Sequence, residues 1–355
     1  RWQRGGVSSM DGVSNGEERM SPKRRFLAGI LGGRVDRPPV GNPTSIATVE
    51  LQRQTEAFFP DAHLDAEAMA RLAAGGYEIL GYDTVMPYFS VEQEAAALGC
   101  EVDWGTPEML PVERDHPFAD PSQLVVPSDL LELRPLRTVL DAISLLRHRY
   151  GGRVAIIGKV MGPWTLAYHT HGVQQFLLET ILEPDKVRAF LDRLKEVTIA
   201  FGRAQIEAGA DAICLADHAT GDLVSPSCYR DFLMPVHREL IHELGCPVIL
   251  HICGDTTDRL EYIVQAGFDC FHFDSKVDAR RAVEIVGGRM SLVGNVNNPQ
   301  TLLNGTPEDV RREVFYALEA GVNVVAPECA VPLITPNRNL RAVVDAAREY
   351  HAQAK

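Results

Sequence analysis

The segment Pro247-Val248-Ile249-Leu250-His251-Ile252-Cys253-Gly254-Asp255 decides how the rest of the chain is read. An apolar run rich in β-branched residues, bounded by turn residues, reads as a strand buried on both faces of a parallel sheet. Where the run ends, it releases a histidine and a cysteine at positions i and i+2. Side chains at that spacing leave a strand on the same face, so His251 and Cys253 are expected to emerge together at the loop. A group of matching chemistry, Cys329, stands at the end of a second apolar run, Val325-Ala326-Pro327-Glu328-Cys329-Ala330-Val331-Pro332. One imidazole and two thiols suit zinc, with the fourth position open for substrate.

The chain between and around these runs alternates helical patterns with short apolar stretches. Candidate strands besides the one at His251 are Pro39–Gly41, Ile79–Met86, Val154–Met161, Ala212–Ala216, Cys270–Asp274, Leu292–Asn295 and Val322–Ala326. Helices are expected at Val173–Leu182, Pro184–Ala208, Pro226–Leu244, Pro307–Ala320 and Asn337–His351, among others. About eight strands, each followed by helix, predict a (β/α)8 TIM barrel, with a doubly wound open sheet as the alternative. No glycine-rich dinucleotide fingerprint follows the first strand. Residues 22–355 are read as one catalytic domain. Residues 1–21 lack a hydrophobic pattern and are expected to be a disordered extension, with Met20 a candidate internal start.

Composition narrows the function. The chain has 355 residues, 23% of them charged, and a formal net charge of −13. That balance argues against a nucleic-acid footprint and offers no basic stripe to an anionic membrane. No apolar run is long enough to span a bilayer. The seven cysteines are odd in number and scattered, without a secretory signal, so a reducing cytoplasm is expected rather than a disulfide framework.

A barrel gathers its chemistry at the C-terminal ends of its strands. The residues there are Asn42, Met161 with Gly162-Pro163, Asp217-His218, His251 with Cys253, Asp274, Asn295 with Asn297, and Glu328-Cys329. Asp274 is expected as a carboxylate ligand or as a group that orients one. Cys214, Cys270 and Cys100 read as core thiols, since free cysteine is among the most buried residue types. His169-Thr170-His171 reads as a solvated loop pair, and Glu92 and Glu94 as a solvated helix face. Met86, Tyr88, Phe89, Met161 and Trp164 are expected to form an apolar rim.

These residues carry a resemblance. The phrase HICGD at 251–255, the run Leu292-Val293-Gly294-Asn295-Val296, Thr301-Leu302-Leu303, and PECAVPLITP at 327–336 resemble the methylcobamide:coenzyme M methyltransferases. Those enzymes form a branch of the uroporphyrinogen decarboxylase superfamily, and the likeness runs from about Pro22 onward, through Arg37-Pro38-Pro39-Val40 and Met161-Gly162-Pro163. It implies a zinc ion on His251, Cys253 and Cys329, with the family's carboxylate falling on Asp274, a shorter side chain than the Glu of some relatives. It also implies a methylated corrinoid protein as donor partner, with methylcobalamin its co-substrate form, a small thiol such as coenzyme M as acceptor, and Met161 and Asn295 near the corrinoid. A tetrahydrofolate acceptor is the alternative, with Asp274 or Asp217 aiding protonation at nitrogen. Decarboxylation fits less well. The decarboxylases' N-terminal arginine motif is replaced by Asn42-Pro43-Thr44-Ser45-Ile46, with the next arginine at Arg53.

The chemistry is consistent with those ligand types. Methyl transfer to a thiol needs a thiolate, and a free thiol with a pKa near about 8.5 is mostly protonated at neutral pH. Two cysteinates and a neutral imidazole leave zinc near formal neutrality, which favours thiol alkylation over water activation.

Overall fold

The computed structural model describes residues 19–354. The extension expected at residues 1–21 falls mostly outside them; within them, Ser21 caps the first helix, Pro22–Ile30. Seven parallel strands form one sheet in strict chain order: β1 (Thr84–Val85), β2 (Ala155–Met161), β3 (Ala212–Ala216), β4 (Val248–Ile252), β5 (Cys270–Phe273), β6 (Ser291–Val296) and β7 (Val324–Pro327). A doubly wound sheet reverses its strand order at a switch point. This one never reverses.

The eighth member is the short stretch around Val40. It is too brief to count as a strand, but it makes a parallel bridge to Val325 of β7. Val325 donates to the Pro39 carbonyl at 2.9 Å and its own carbonyl accepts from Gly41 at 3.1 Å, while Asp83 donates to the Val40 carbonyl at 2.7 Å. The segment therefore joins β7 to β1, and the sheet closes on itself as a (β/α)8 barrel.

Amphipathic helices cover the outside, including Arg134–Tyr150, Pro184–Ala208, Met234–Leu244, Pro307–Ala320 and Asn337–Gln353. The expected strand at Ile79–Met86 shrinks to β1 because Ile79 terminates the helix Ala66–Glu78 and Gly81 turns the chain at φ 80°. The helix expected over Pro226–Leu244 contains a π-helical stretch, Tyr229–Leu233, that periodicity did not reveal. A helix absent from the expectation, Pro163–His171, follows β2 directly.

One end of the barrel is plugged. Lys23, in the first helix, bonds the Arg153 carbonyl through its backbone and Asp211 through its ammonium at 2.7 Å, just before β2 and β3. A Cβ on Gly29 of the same helix would meet Pro39 and Val324 side chains at 2.8 Å. Each of these contacts lies where a strand begins, so the strand ends at the opposite mouth are left for chemistry.

Asp83 holds the plug to the closing segment. Its buried carboxylate accepts from Arg25 Nη1 at 2.8 Å, from both terminal nitrogens of Arg37 at 3.0 Å, and from the Val40 N–H at 2.9 Å. Arg25 and Arg37 are themselves only 0% and 4% exposed, so the carboxylate balances charge that water cannot reach. Asp83→Ala is expected to lower the unfolding free energy by about 3–5 kcal/mol, the usual cost of removing one partner from a buried ion pair. A denaturant titration that left the midpoint unchanged would show that the barrel closes without this network.

Candidate metal centre

β4 and β7 deliver three soft donors to one point. His251 Nε2 lies 3.1 Å from Cys253 Sγ and 3.3 Å from Cys329 Sγ, and the two sulfurs are 3.0 Å apart. That separation is far beyond the about 2.05 Å of a disulfide. All cysteines among the described residues are free. His251 is buried, and the two cysteines are part-exposed at the open mouth.

The surrounding groups fix each donor. His251 Nδ1 donates to the His272 carbonyl at 3.2 Å, which turns the Nε2 lone pair toward the sulfurs. His272 in turn uses Nε2 to donate to the Pro327 carbonyl at 2.7 Å, two residues ahead of Cys329. Burial keeps its imidazole neutral, with its proton affinity well below the usual histidine range. One buried residue on β5 thus braces both strands, through its backbone carbonyl on the His251 side and through its ring on the Cys329 side. Beyond Cys253, Gly254 turns at φ 82°, and a Cβ there would strike Thr220 Oγ1 at 2.2 Å. Only glycine lets the chain leave so sharply after Cys253. The Glu328 carboxylate, buried beside Cys329, accepts from the N–H groups of Ser275 at 2.9 Å and Asn298 at 2.7 Å and anchors that turn.

Electrostatics separate the two thiols. A hydrogen bond from Cys253 draws Cys329 well below the ordinary thiol range, and the same contact pushes Cys253 up. Beneath the pair, Lys159 on β2 is buried inside the barrel with its ammonium 4.6 Å from the Tyr88 ring centre. Burial lowers it to about 8, against an upward pull from Cys214, Glu94 and the cysteine pair. Tyr88 donates to Glu94, whose other oxygen accepts the Met161 N–H at 2.8 Å. Burial raises Glu94 to about 7. His218 sets its ring 6.4 Å from that of His251, edge to face, and burial lowers it to about 4.

A nitrogen and two sulfurs converging at a barrel mouth, on the ends of strands from separate parts of the sequence, can be compared with known proteins. The uroporphyrinogen decarboxylase family model matches residues 21–350. A methylated-thiol–coenzyme M methyltransferase of Methanosarcina mazei is 40% identical over 331 residues, covering 93% of this chain and 90% of the relative. A methylcobamide:coenzyme M methyltransferase of Methanosarcina barkeri is 36% identical, covering 93% of this chain and 98% of the relative. The chain belongs to the uroporphyrinogen decarboxylase family, in its methylcobamide:coenzyme M methyltransferase branch. The solved structure of a methyltransferase from Methanosarcina mazei superposes with a TM-score of 0.91 at 35% identity, covering 94% of this chain and 99% of that one.

Within this family member, the other expected site residues fall in distinct places. Both Asp274 oxygens are taken by backbone, accepting from Gly254 at 2.8 Å and Lys276 at 2.9 Å. The carboxylate orients the turn after Cys253 instead of standing free. Asp217 is fully buried. Its Oδ1 accepts from the Thr165 N–H at 2.8 Å, capping the helix after β2, and its Oδ2 faces His237 Nε2 at 2.9 Å. Gly162 permits this, since a Cβ there would sit 2.1 Å from the Asp217 carboxyl carbon. Asn295 donates to the carbonyls of Asp274 at 3.3 Å and Val277 at 2.9 Å. Met161 is fully buried.

Several surface expectations need correction. Met86, Tyr88, Phe89, Met161 and Trp164 are all buried and pack beneath the mouth, so they form no exposed rim. Glu92 and Glu94 are buried, because the helix Gln93–Ala97 tucks under the loop leaving β1. His169 and His171 lie in the last turn of the helix after β2, not in a solvated loop, and His171 is buried against Glu179 at 2.8 Å. Cys214, Cys270 and Cys100 are buried as expected. Lys159 and His272 were missed. Each is one polar residue inside an apolar strand, the signal that would have found them.

The bracing groups and the donors are expected to behave differently. His272→Phe and Asp274→Asn should each weaken metal retention about 10–100-fold, the range for groups that only orient ligands. Cys253→Ala should abolish it. Competition against a chromophoric chelator checks the order, and a His272→Phe protein with unchanged affinity would remove the brace.

Proposed function

We propose that this chain is a zinc-dependent methyltransferase that moves a methyl group from a methylated corrinoid protein to a small thiol such as coenzyme M. The observation that carries the reading is the meeting of His251 Nε2, Cys253 Sγ and Cys329 Sγ within 3.0–3.3 Å at the open end of the barrel. The donor set supports zinc, since soft thiolates with one imidazole suit that ion and three protein ligands leave a position for an exchangeable group. Zinc held there supplies the means to keep an acceptor thiol deprotonated at neutral pH while leaving it nucleophilic. The names of the methanosarcinal relatives support coenzyme M and a methylated corrinoid as acceptor and donor.

The chain's own groups fit the demands of the transfer. The methyl carbon leaves cobalt without its bonding pair, which remains on cobalt, and forms a new bond to sulfur. No proton moves in that step, so the site needs no general acid beside the sulfur. His218, lowered to about 4, stays uncharged and does not compete to protonate a thiolate at neutral pH. The proton lost from the thiol on binding leaves before the transfer. Lys159 lies beneath the cysteine pair, and its positive charge would offset the one negative charge that a bound acceptor thiolate adds to the otherwise neutral zinc site.

The folate alternative asked Asp274 or Asp217 to aid protonation at the folate nitrogen. Asp274 is held by two backbone N–H groups, and Asp217 by a helix N-terminus and His237. Neither carboxyl group is free for that work, which favours the thiol.

The test is methyl transfer from free methylcobalamin, followed by loss of its methyl–cobalt absorbance, with coenzyme M and tetrahydrofolate in parallel. Turnover is expected with the thiol alone and is expected to stop when a chelator removes the metal. Cys329→Ala should lose zinc and lower thiol methylation more than about 100-fold, beyond the range for groups that merely orient a ligand. Full activity in a Cys329→Ala protein, or turnover with the folate only, would overturn the reading.

A further inference from the structure

A second cluster of donors lies over the same end of the barrel, apart from the cysteines. Glu92 stands on the loop leaving β1, Glu113 on a short strand, Val112–Glu113, that pairs antiparallel with Val102–Asp103, and His169 in the last turn of the helix Pro163–His171. Their ligand atoms all lie within 4.8 Å of one another. Glu92 Oε2 and His169 Nδ1 face each other at 3.4 Å, on side chains only 3% and 12% exposed. Neither atom has a hydrogen-bond partner among the described residues. A buried carboxylate oxygen without a donor is rare in a folded protein, and each such case calls for a physical cause.

The surroundings aim these groups at one another. The His169 carbonyl accepts from His116 Nδ1 at 2.7 Å and faces the Cys100 thiol at 3.8 Å, which fixes the helix end beneath the hairpin. Burial lowers the proton affinity of His169, so its ring is neutral and able to present a lone pair. Without a counter-ion the two carboxyl groups repel, and burial with Glu113 pushes Glu92 up to about 9. A cation would replace the shared proton and satisfy both orphaned atoms.

We propose that Glu92, Glu113 and His169 form a second metal site, one that takes a divalent first-row transition ion. Two carboxylates and an imidazole are harder than the His-Cys-Cys set, so the sites differ in the ions they prefer. The three ligands come from the loop after β1, the hairpin and the helix after β2. An ion there staples the long excursion between β1 and β2 onto the barrel mouth. The helix that carries His169 also accepts the His218 N–H on Thr165 Oγ1 at 2.8 Å, so the site neighbours the first centre.

Mn²⁺ is the probe, because thiolates bind it poorly. The wild-type protein, exchanged into buffer with Mn²⁺ and a reductant, is expected to hold one Mn²⁺ per chain by elemental analysis and to give a bound-ion electron paramagnetic resonance signal. Glu92→Gln, which preserves shape in the core, and Glu113→Gln, on the part-exposed hairpin, should each weaken that binding more than tenfold. Their zinc content should stay at the wild-type level, which also reports that they are folded. Cys329→Ala should bind Mn²⁺ as the wild type does. The proposal fails if the wild type takes up no Mn²⁺, if both Gln variants bind it as tightly, or if Cys329→Ala alone removes it.

Discussion

The centre depends on curvature. β4 and β7 are three places apart in the sheet order, with β5 and β6 between them. In a flat sheet that separation is about 14 Å at the usual strand spacing, too far for any side chain to bridge to a shared point. Here the sulfurs released from the two strands approach to 3.0 Å. Barrel closure accounts for the difference, and closure rests on the few hydrogen bonds around Val40 and the buried carboxylate of Asp83. An Arg–Asp network at the plugged end and a metal-type cluster at the open end are therefore parts of one mechanical problem. The first curls the sheet, and the second uses the curl.

Three groups carry that geometry the last few ångströms. His272 bonds to one ligand strand through its carbonyl and to the other through its ring. Asp274 and Glu328 pin the turns beyond Cys253 and Cys329 with backbone hydrogen bonds. None of the three is a donor in the cluster, and each costs desolvation of a polar group. The barrel interior accepts the same kind of cost at Lys159, Tyr88 and Glu94, where a cation, a ring and a carboxyl group compensate one another. A core that tolerates so many polar groups is organised for chemistry above it as much as for packing. This fits a family whose solved methyltransferase relative shares almost the whole fold.

The excursion between β1 and β2 shows where linear pattern is least informative. Glu92 and Glu94 in that excursion read as a solvated helix face, and the His169–His171 pair just beyond β2 reads as a solvated loop. Helical burial reversed that, because the helix Gln93–Ala97 lies under its own loop and the helix Pro163–His171 is covered by the hairpin side. Hydrophobic periodicity reports which face of an element is apolar. It does not report that a polar face will be covered by another polar segment.

What the sequence by itself determined was the beat and the chemistry. Alternating apolar runs and amphipathic stretches specify strands and helices locally, and the strict i, i+2 spacing of His251 and Cys253 puts both on one face of one strand. The donor types alone point to a soft metal, since that follows from the atoms and not from their placement. Tertiary structure decided the rest. Whether Asp217 caps a helix or meets a substrate, whether Met161 lines a rim or fills the core, and whether Glu92 faces water or His169 all depend on which distant segment packs above them. Those contacts join residues tens to hundreds of positions apart, and burial, unlike spacing, is a property of the assembled surface.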